Sequence, residues 1–150
     1  MNEHSDVQEI RRLLDERVTA IEKQDASAAC AAYAPDVVIF DVIGPLQHSG
    51  ATAVRDRLTQ WFATFDGPVL YEITDLVIEA HSGVGFCHSF NRVQTHTKAG
   101  TMLDMYWRET LGWQQINERW MITHAHSSVP FDVETGMASV GLKPFLSPTL

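Results

Sequence analysis

The side chains of this sequence that are best suited to catalysis, by their chemistry and their spacing, are histidines. His124 and His126 stand two residues apart in a run with the alternating pattern of a strand, so their imidazoles are predicted to share one face. Trp120 and Ile122 fall on that same face, and if it is the covered one, both imidazoles point into the interior. Imidazole gains or loses a proton near neutral pH. The pair therefore predicts a general acid or an orienting group, with packed core histidines as the alternative.

His88 and Asp41 are the other candidates. His88 lies between two phenylalanines on another strand-like run, where it could contact a ligand or be a hydrogen-bonded core residue. Asp41 ends an apolar strand-like run before a Gly-Pro turn, so it could cap that turn or form an acid–base pair with an imidazole. Three histidines and an aspartate are also metal-ligand types. A His-x-His pair falls short of a full motif, however, so we expect neither a metal nor a cofactor.

Composition narrows the class of protein. The 150 residues include 11 Lys and Arg against 19 Asp and Glu, a net charge of −8, and 45% are apolar. This fits one globular domain of ordinary composition, and the scattered basic residues argue against binding to nucleic acid or to an anionic membrane. Cys30 and Cys87 make neither a disulfide framework nor a zinc motif. Without a leader pattern or a membrane-spanning apolar run, we expect a cytoplasmic protein.

The elements that would position these residues are three helices followed by strands. Apolar residues recur every three or four positions over 6–24 and 51–65, which predicts two amphipathic helices with a short helix over 26–34 between them. The β-branched and aromatic run 36–41 predicts one strand. After residue 68 the period changes to two, and short turns separate long runs. The four further strands predicted from these runs span 69–80, 84–97, 101–116 and 119–129.

Helices in the first half of the chain and strands in the second predict an α+β fold. We expect a strongly curved, cone-shaped antiparallel sheet wrapped over three N-terminal helices, as in a cystatin-like roll. Such a sheet leaves a cavity suited to an apolar ligand held by a few polar groups. The domain is expected to span 1–132, with an irregular tail over 133–150. One face of the sheet stays exposed and could form a homodimer.

Two segments of the chain resemble a known family. The segment YAPDVVIFDVIGPLQHSGATAVRDRL (33–58) and the ending WMITHAHSSVPFD (120–132) resemble the SnoaL-like, ketosteroid-isomerase-like branch of the nuclear transport factor 2 superfamily. The resemblance implies the cone-shaped fold, and it implies for Asp41 the role of a general base that moves a proton on a carbon next to a carbonyl. The family includes isomerases, polyketide cyclases, epoxide hydrolases, dehydratases and binding modules, so the fold does not select the activity.

The sequence departs from the isomerase pattern at two positions. Those isomerases hold the enolate oxygen between a tyrosine of the first helix and a protonated aspartic acid on the third long strand. Here the helix position aligns with Arg17, and the strand position falls on Trp107 or Glu109. Trp107 could donate one indole N–H, and Glu109 could serve only if protonated. Asp104 and Arg108 fall on the opposite face of that strand, where we expect a salt bridge, either on an exposed face or at a dimer seam. These departures from the pattern therefore argue against steroid isomerase activity.

Together these features predict a small-molecule-binding protein or a cofactor-free acid–base enzyme of the isomerase, cyclase or dehydratase type. Asp41 would accept the proton, assisted by His124 or His126. The alternative is a non-catalytic binding or dimeric assembly module of the same fold. The expected ligand is an apolar or aromatic small molecule. The residues predicted to line its pocket are Tyr33, Phe40, Trp61, Phe65, His88, Trp107, Glu109 and Trp120.

Overall fold

Three helices precede six strands in the computed structural model, which describes residues 2–144; the last six positions of the predicted tail lie outside the described residues. The helices are α1 (Glu3–Glu22), α2 (Ala26–Ala29) and α3 (Ala51–Phe62). The strands are β1 (Tyr33–Phe40), β2 (His48–Ser49), β3 (Leu70–His81), β4 (Val84–His96), β5 (Met102–Ile116) and β6 (Arg119–Ser128). The predicted α+β class is confirmed. No helix of the described residues is long and apolar enough to cross a membrane.

The sheet is a single curved layer in the order β2-β1-β6-β5-β4-β3. Strands β3 to β6 form the predicted antiparallel meander. Strand β1 pairs in parallel with β6. The two-residue β2 pairs antiparallel with β1 and forms the edge of the sheet. We call the side of the sheet that packs on the helices the inner face and the opposite side the outer face.

Helix α1 lies on the inner face because its apolar stripe is continuous. Ile10, Leu14 and Ile21 are each at most 2% exposed, as expected for residues at three- and four-residue spacing. The helix begins earlier than predicted because the side chain of Asn2 accepts a hydrogen bond from the backbone N–H of Ser5 (2.9 Å).

Strand β6 contains a bulge that changes which side chains face the helices. Gly112 pairs with His124 and Trp113 pairs with Ile122, so Thr123 has no partner on β5. One extra residue in a strand reverses the inward and outward alternation beyond it. The strict alternation of inward and outward side chains that we assumed for β6 therefore holds only up to Ile122.

The bulge corrects the expectation that both strand histidines point into the interior. Ile122 and Ala125 are buried, and Ser127 follows Ala125 on the inner face, whereas His126 is exposed. His124 and His126 lie on the outer face. Their imidazoles are on the side of the sheet away from the helices.

Beyond β6 the described residues form no further helix or strand. Residues 130–139 form a turn closed by backbone hydrogen bonds from Asp132 N–H to the Met137 carbonyl (2.8 Å) and from Ser139 N–H to the Pro130 carbonyl (2.7 Å). The division into a domain over 1–132 and an irregular tail over 133–150 stays a prediction.

Candidate functional site

A cavity of about 240 Å³ lies between the inner face and helices α1 and α3. Most of its wall is apolar, which suits a ligand with a carbon skeleton. Representative apolar wall residues are Ile21, Ile39, Leu58, Val93, Met105 and Ala125. Polar side chains are confined to two groups. We call them the buried cluster (Arg17, Tyr33, Tyr71, Asn91 and Glu109) and the open-end group (Asp41, His48, Arg57 and Ser127).

Indole rings form part of the wall between the two groups. Trp61 of α3 and Trp107 of β5 line the cavity in an edge-to-face arrangement, with ring centroids 6.2 Å apart. The ring centroids of Trp107 and Tyr71 are 5.7 Å apart in the same edge-to-face arrangement, and those of Trp61 and Phe65 are 5.0 Å apart. Such a wall favours a flat, aromatic or conjugated ligand.

The centre of the buried cluster is an ion pair between α1 and β5. Arg17 donates from its two terminal nitrogens to the two carboxylate oxygens of Glu109, at 2.8 and 3.1 Å. Burial acts to raise the pKa of Glu109, but the guanidinium outweighs it and holds that pKa below its usual value. Burial likewise acts to lower the pKa of Arg17, and the carboxylate holds it well above its usual value. Both groups are therefore charged, and Glu109 is not the protonated acid that the isomerase pattern requires.

Asn91 connects this ion pair to a tyrosine. Its side-chain amide donates to Glu109 Oε1 (3.0 Å) and to the Tyr71 hydroxyl oxygen (2.8 Å), and its carbonyl oxygen accepts from Ser89 (2.7 Å). Because the Tyr71 oxygen is already an acceptor, its own proton is available to donate to a ligand. Burial raises the pKa of Tyr71, and it raises the pKa of Tyr33 to about 12, so both hydroxyls keep their protons at neutral pH.

The open-end group lies where β1 ends. Asp41 Oδ2 is 3.4 Å from Arg57 Nε, and its Oδ1 accepts from the Val42 backbone N–H (2.7 Å). These two side chains are 24% and 21% exposed, against 6% and 10% for Glu109 and Arg17, which places the cavity mouth at this end. Asp41 thus caps the backbone after β1, as one of its two sequence interpretations describes, and it also lines the cavity. Its role as a general base stays a prediction.

His48 is the histidine that lines the cavity. It pairs with Ile39 through β2, and its Nε2 is buried without a hydrogen-bond partner among the described residues. Sequence reasoning missed this residue because the segment 42–49 has no strand periodicity.

Of the predicted site residues, five lie on the cavity wall: Asp41, Tyr33, Trp61, Trp107 and Glu109. The predicted histidines do not join them. Phe40 lies on the outer face, where its ring contacts His124 and His126 edge-on at 4.8 and 5.4 Å. This corrects the prediction of a catalytic His124 or His126 beside Asp41, because the imidazoles and the carboxylate lie on opposite faces.

The remaining pocket predictions are corrected in the same way. His88 is exposed on the outer face, stacked on Phe86 with ring centroids 6.5 Å apart. Trp120 belongs to the core under α1, where its indole N–H donates to Asp6 (3.1 Å). Phe65 is buried behind Trp61 and does not reach the cavity surface.

Asp41, Asp104 and Arg108 are not brought together in one pocket. Asp104 lies on the outer face, where it accepts from Arg92 at 2.9 and 3.0 Å. Arg108 donates instead to the Ser128 hydroxyl (3.1 Å). The predicted Asp104–Arg108 salt bridge is therefore replaced by Asp104–Arg92, and neither residue shares a pocket with Asp41.

The arrangement offers one carboxylate outside the buried ion pair, one imidazole and several donors around an apolar cavity. Asp41, beside Arg57, and His48 lie in the open-end group, and the donors of the buried cluster are Arg17, Tyr33 and Tyr71. Among residues 2–144, no group of three or more His, Cys, Asp or Glu side chains converges in a geometry that could hold a metal ion. The chemistry that these side chains can supply is proton transfer with stabilisation of a negative oxygen.

Comparison with known proteins places the chain in a family. Residues 10–132 match the model of the SnoaL-like domain. An NTF2-like protein of unknown function from Pseudomonas putida KT2440 is 30% identical, with a TM-score of 0.85 over 94% of this chain and 98% of that one. No curated protein sequence matches significantly.

More distant structures share the fold alone. A ketosteroid isomerase-like protein from Erwinia carotovora atroseptica is 20% identical, with a TM-score of 0.68 over 81% of this chain and 94% of that one. A protein of unknown function with a cystatin-like fold from Nostoc punctiforme PCC 73102 is 16% identical, with a TM-score of 0.67 over 82% and 90% of the two chains. On the strength of the family model and the Pseudomonas relative, this chain belongs to the SnoaL-like branch of the NTF2-like superfamily.

Proposed function

We propose that the protein binds an apolar, partly aromatic carbonyl compound in its cavity and catalyses cofactor-free proton transfer at the carbon next to the carbonyl. Isomerisation, cyclisation and dehydration all begin with such a step. The observation that supports this most strongly is that Asp41 lies on the wall of one apolar cavity with four members of the buried cluster, Arg17, Tyr33, Tyr71 and Glu109. Their positions give an acceptor near the mouth and oxygen-binding donors at the closed end.

In this mechanism Asp41 removes a proton from the carbon. The C–H electron pair moves into the new carbon–carbon double bond, and the carbonyl electrons move to the oxygen, which becomes an enolate. Tyr71 donates its hydroxyl proton in a hydrogen bond to that oxygen, because Asn91 already occupies the phenol oxygen as a donor. Tyr33 is a second hydroxyl donor in the buried cluster on the same wall. Return of the proton from Asp41 to another carbon would complete an isomerisation.

The test uses exchange of an acidic C–H proton, so it does not require the natural substrate. We expect the protein to accelerate the exchange of the C1 protons of 2-tetralone for deuterium in D₂O, followed by NMR. Asp41→Asn keeps the shape of the side chain but removes its basicity, and we expect a loss of about 10²–10⁴-fold in the protein-dependent rate. Unchanged exchange in Asp41→Asn would show that Asp41 is not the proton acceptor.

Asp104→Asn is the matched control. Asp104 also lies beside a guanidinium, but on the outer face. We expect it to exchange 2-tetralone at the wild-type rate. If 2-tetralone binds saturably and its exchange is not accelerated by the wild type, the non-catalytic binding module becomes the better account.

We also propose, in line with the assembly alternative, that the outer face pairs two copies of the chain. Phe86, Val77 and Phe40 are 44%, 41% and 37% exposed there. Phe86 and Val77 lie on the adjacent strands β4 and β3, and exposed apolar side chains favour burial in an interface. Sedimentation would show a dimer for the wild type and a monomer for Phe86→Glu. A monomeric wild type at micromolar concentration would contradict this proposal and would leave the cavity chemistry intact.

A further inference from the structure

Two guanidinium groups line the cavity, and they are bound differently. Arg17 donates to both carboxylate oxygens of Glu109, at 2.8 and 3.1 Å. Arg57 approaches Asp41 with its Nε at 3.4 Å from Oδ2, and none of its nitrogens makes a hydrogen bond within residues 2–144. A guanidinium with little exposure to solvent is normally paired and hydrogen-bonded. Arg57 therefore has donors that a ligand can use.

The Arg57 donors are open to solvent at the cavity mouth. The side chain of Arg57 is 21% exposed, against 10% for that of Arg17. Among the described residues, the unpartnered side-chain nitrogens that are shut off from solvent are Arg17 Nε and His48 Nε2. The nitrogens of Arg57 do not belong to that set, so a ligand that extends to the mouth can replace the water around them.

A guanidinium with unused donors selects the chemistry of its ligand. The N–H groups of Arg57 only donate, so the ligand atoms that meet them must be acceptors. The planar fork of these donors matches the two oxygens of a carboxylate, and such charge-assisted pairs are stronger than neutral hydrogen bonds. Asp41 already places one negative charge beside Arg57, so a group with a single charge is repelled less than a doubly charged phosphate. The mouth therefore suits a carboxylate.

Strand register separates this group from the buried cluster. Glu109 of β5 pairs with Ser127 of β6, and the parallel register of β1 with β6, continued by one residue, brings Asp41 beside Ser127. Asp41 and Glu109 are therefore two strand spacings apart, which is about 10 Å between their backbones. Arg57 lies on the Asp41 side of that interval. A ligand oxygen in the buried cluster and a carboxylate at Arg57 are thus at opposite ends of one molecule.

We propose that the ligand carries a carboxylate at its outer end, and that Arg57 binds this carboxylate at the cavity mouth while the apolar body of the ligand lies inside. Arg57 is then a specificity-determining residue. The inference rests on the proposed function only for the carbonyl end, and it narrows the substrate class to small apolar keto acids. When Asp41 has taken its proton and is neutral, the ligand carboxylate is the anion that remains beside Arg57, so their attraction increases along the reaction.

The test compares three two-ring probes by isothermal titration calorimetry at neutral pH: 6-hydroxy-2-naphthoate, 6-hydroxy-2-naphthamide and naphthalene-2,6-diol. Two rings suit a cavity of about 240 Å³, since about 150 Å³ holds one benzene. The amide has the shape of the carboxylate without its charge. We expect the naphthoate to bind about tenfold or more tightly than the amide or the diol. Binding of the naphthoate no tighter than that of the amide, or binding of none of the three probes, would overturn the inference.

Variants on α3 assign the carboxylate preference to its residue. Arg57→Gln removes the charge, and we expect the naphthoate to lose its advantage over the amide, whereas Arg57→Lys keeps the charge and should keep part of that advantage. Arg55→Gln is the matched control, because Arg55 is exposed two residues earlier on the same helix and lines a separate pocket. We expect this control to bind as the wild type does. An equal loss of preference in both Gln variants would indicate a general charge effect and would overturn the assignment to Arg57.

Asp41→Asn separates this inference from the proposed function. An Arg57-dependent carboxylate preference together with 2-tetralone exchange that is unaltered in Asp41→Asn refutes the role of Asp41 and supports the carboxylate site. Exchange that depends on Asp41, without any carboxylate preference, refutes the carboxylate site alone.

Discussion

The two faces of the sheet carry the same kinds of side chain with different surroundings. The outer face has His88, His124 and His126, and the inner face has His48. The outer imidazoles contact solvent, aromatic rings or backbone, as His124 does by its 2.7 Å contact from Nδ1 to the Val38 carbonyl. The inner imidazole has a buried Nε2 with no hydrogen-bond partner within residues 2–144. Residue type alone therefore does not show which histidine lines the cavity, whereas strand register and burial do.

The same contrast applies to the guanidinium–carboxylate pairs. Arg17–Glu109 is inside the cavity wall with little solvent contact, and Arg92–Asp104 lies on the outer face. Water screens the outer pair, so its contribution to stability is small. The inner pair has lost its water, so each charge depends on the other. The same kind of ion pair therefore lines a cavity on the inner face and belongs to a solvated surface on the outer face.

The largest expected effect comes from breaking the inner pair. Glu109→Ala leaves Arg17 buried without a counter-charge, and we expect the free energy of unfolding to fall by about 3–5 kcal/mol. Urea unfolding followed by circular dichroism measures this. Asp104→Ala is the outer-face control, with a much smaller change.

The double variant Arg17→Met with Glu109→Leu sharpens that result. Removing both charges together leaves no uncompensated ion, so we expect most of the lost stability to return. A double variant as unstable as Glu109→Ala would show that the loss arises from packing and not from the unpaired charge.

A smaller effect should appear in acid. The folded-state pKa of Glu109 lies below its ordinary value of 4.5. A carboxyl with a lowered pKa adds stability above its unfolded pKa, and that stability is lost as the pH falls through the folded value. Between pH 4.5 and the onset of acid unfolding, the wild type should therefore lose stability faster than the double variant. Parallel stability curves for the two proteins would contradict the pair's charged state.

The smallest effect is expected on the outer face. His124→Ala removes the hydrogen bond to the Val38 carbonyl, and we expect a loss of about 1 kcal/mol in unfolding free energy. Affinity for naphthalene-2,6-diol should not change, because the imidazole lies on the other side of the sheet. A tenfold loss of affinity in this variant would show that His124 takes part in ligand binding.

Much of the fold could be predicted from periodicity. Helices α1 and α3 and the four long strands appear within a few residues of their predicted bounds, because each has a long amphipathic or alternating pattern. Strand β2 could not be predicted, since two residues have no period. The parallel pairing of β1 with β6 is a long-range contact that no local pattern encodes.

The site was less predictable because single residues decide it. The bulge at Thr123 reverses the faces of His124 and His126, and nothing in the local sequence indicates the extra residue. Arg17 was visible only as a departure from the isomerase pattern. Asn91 is fully buried in the middle of β4, where composition predicts no polar network. These features depend on which strands meet across the cavity.

The central claim is that the ligand binds in the inner-face cavity, and the four indole N–H groups can test it directly. Trp61 and Trp107 line the cavity, whereas Trp113 and Trp120 lie in the core with their indole N–H groups bonded to Cys87 and Asp6. In a ¹⁵N-edited NMR titration with naphthalene-2,6-diol, the Trp61 and Trp107 indole signals should shift in a saturable manner while the Trp113 and Trp120 signals stay in place. Saturable shifts confined to the imidazole protons of His88, His124 and His126, with all four indole signals unchanged, would place the ligand on the outer face and contradict the account.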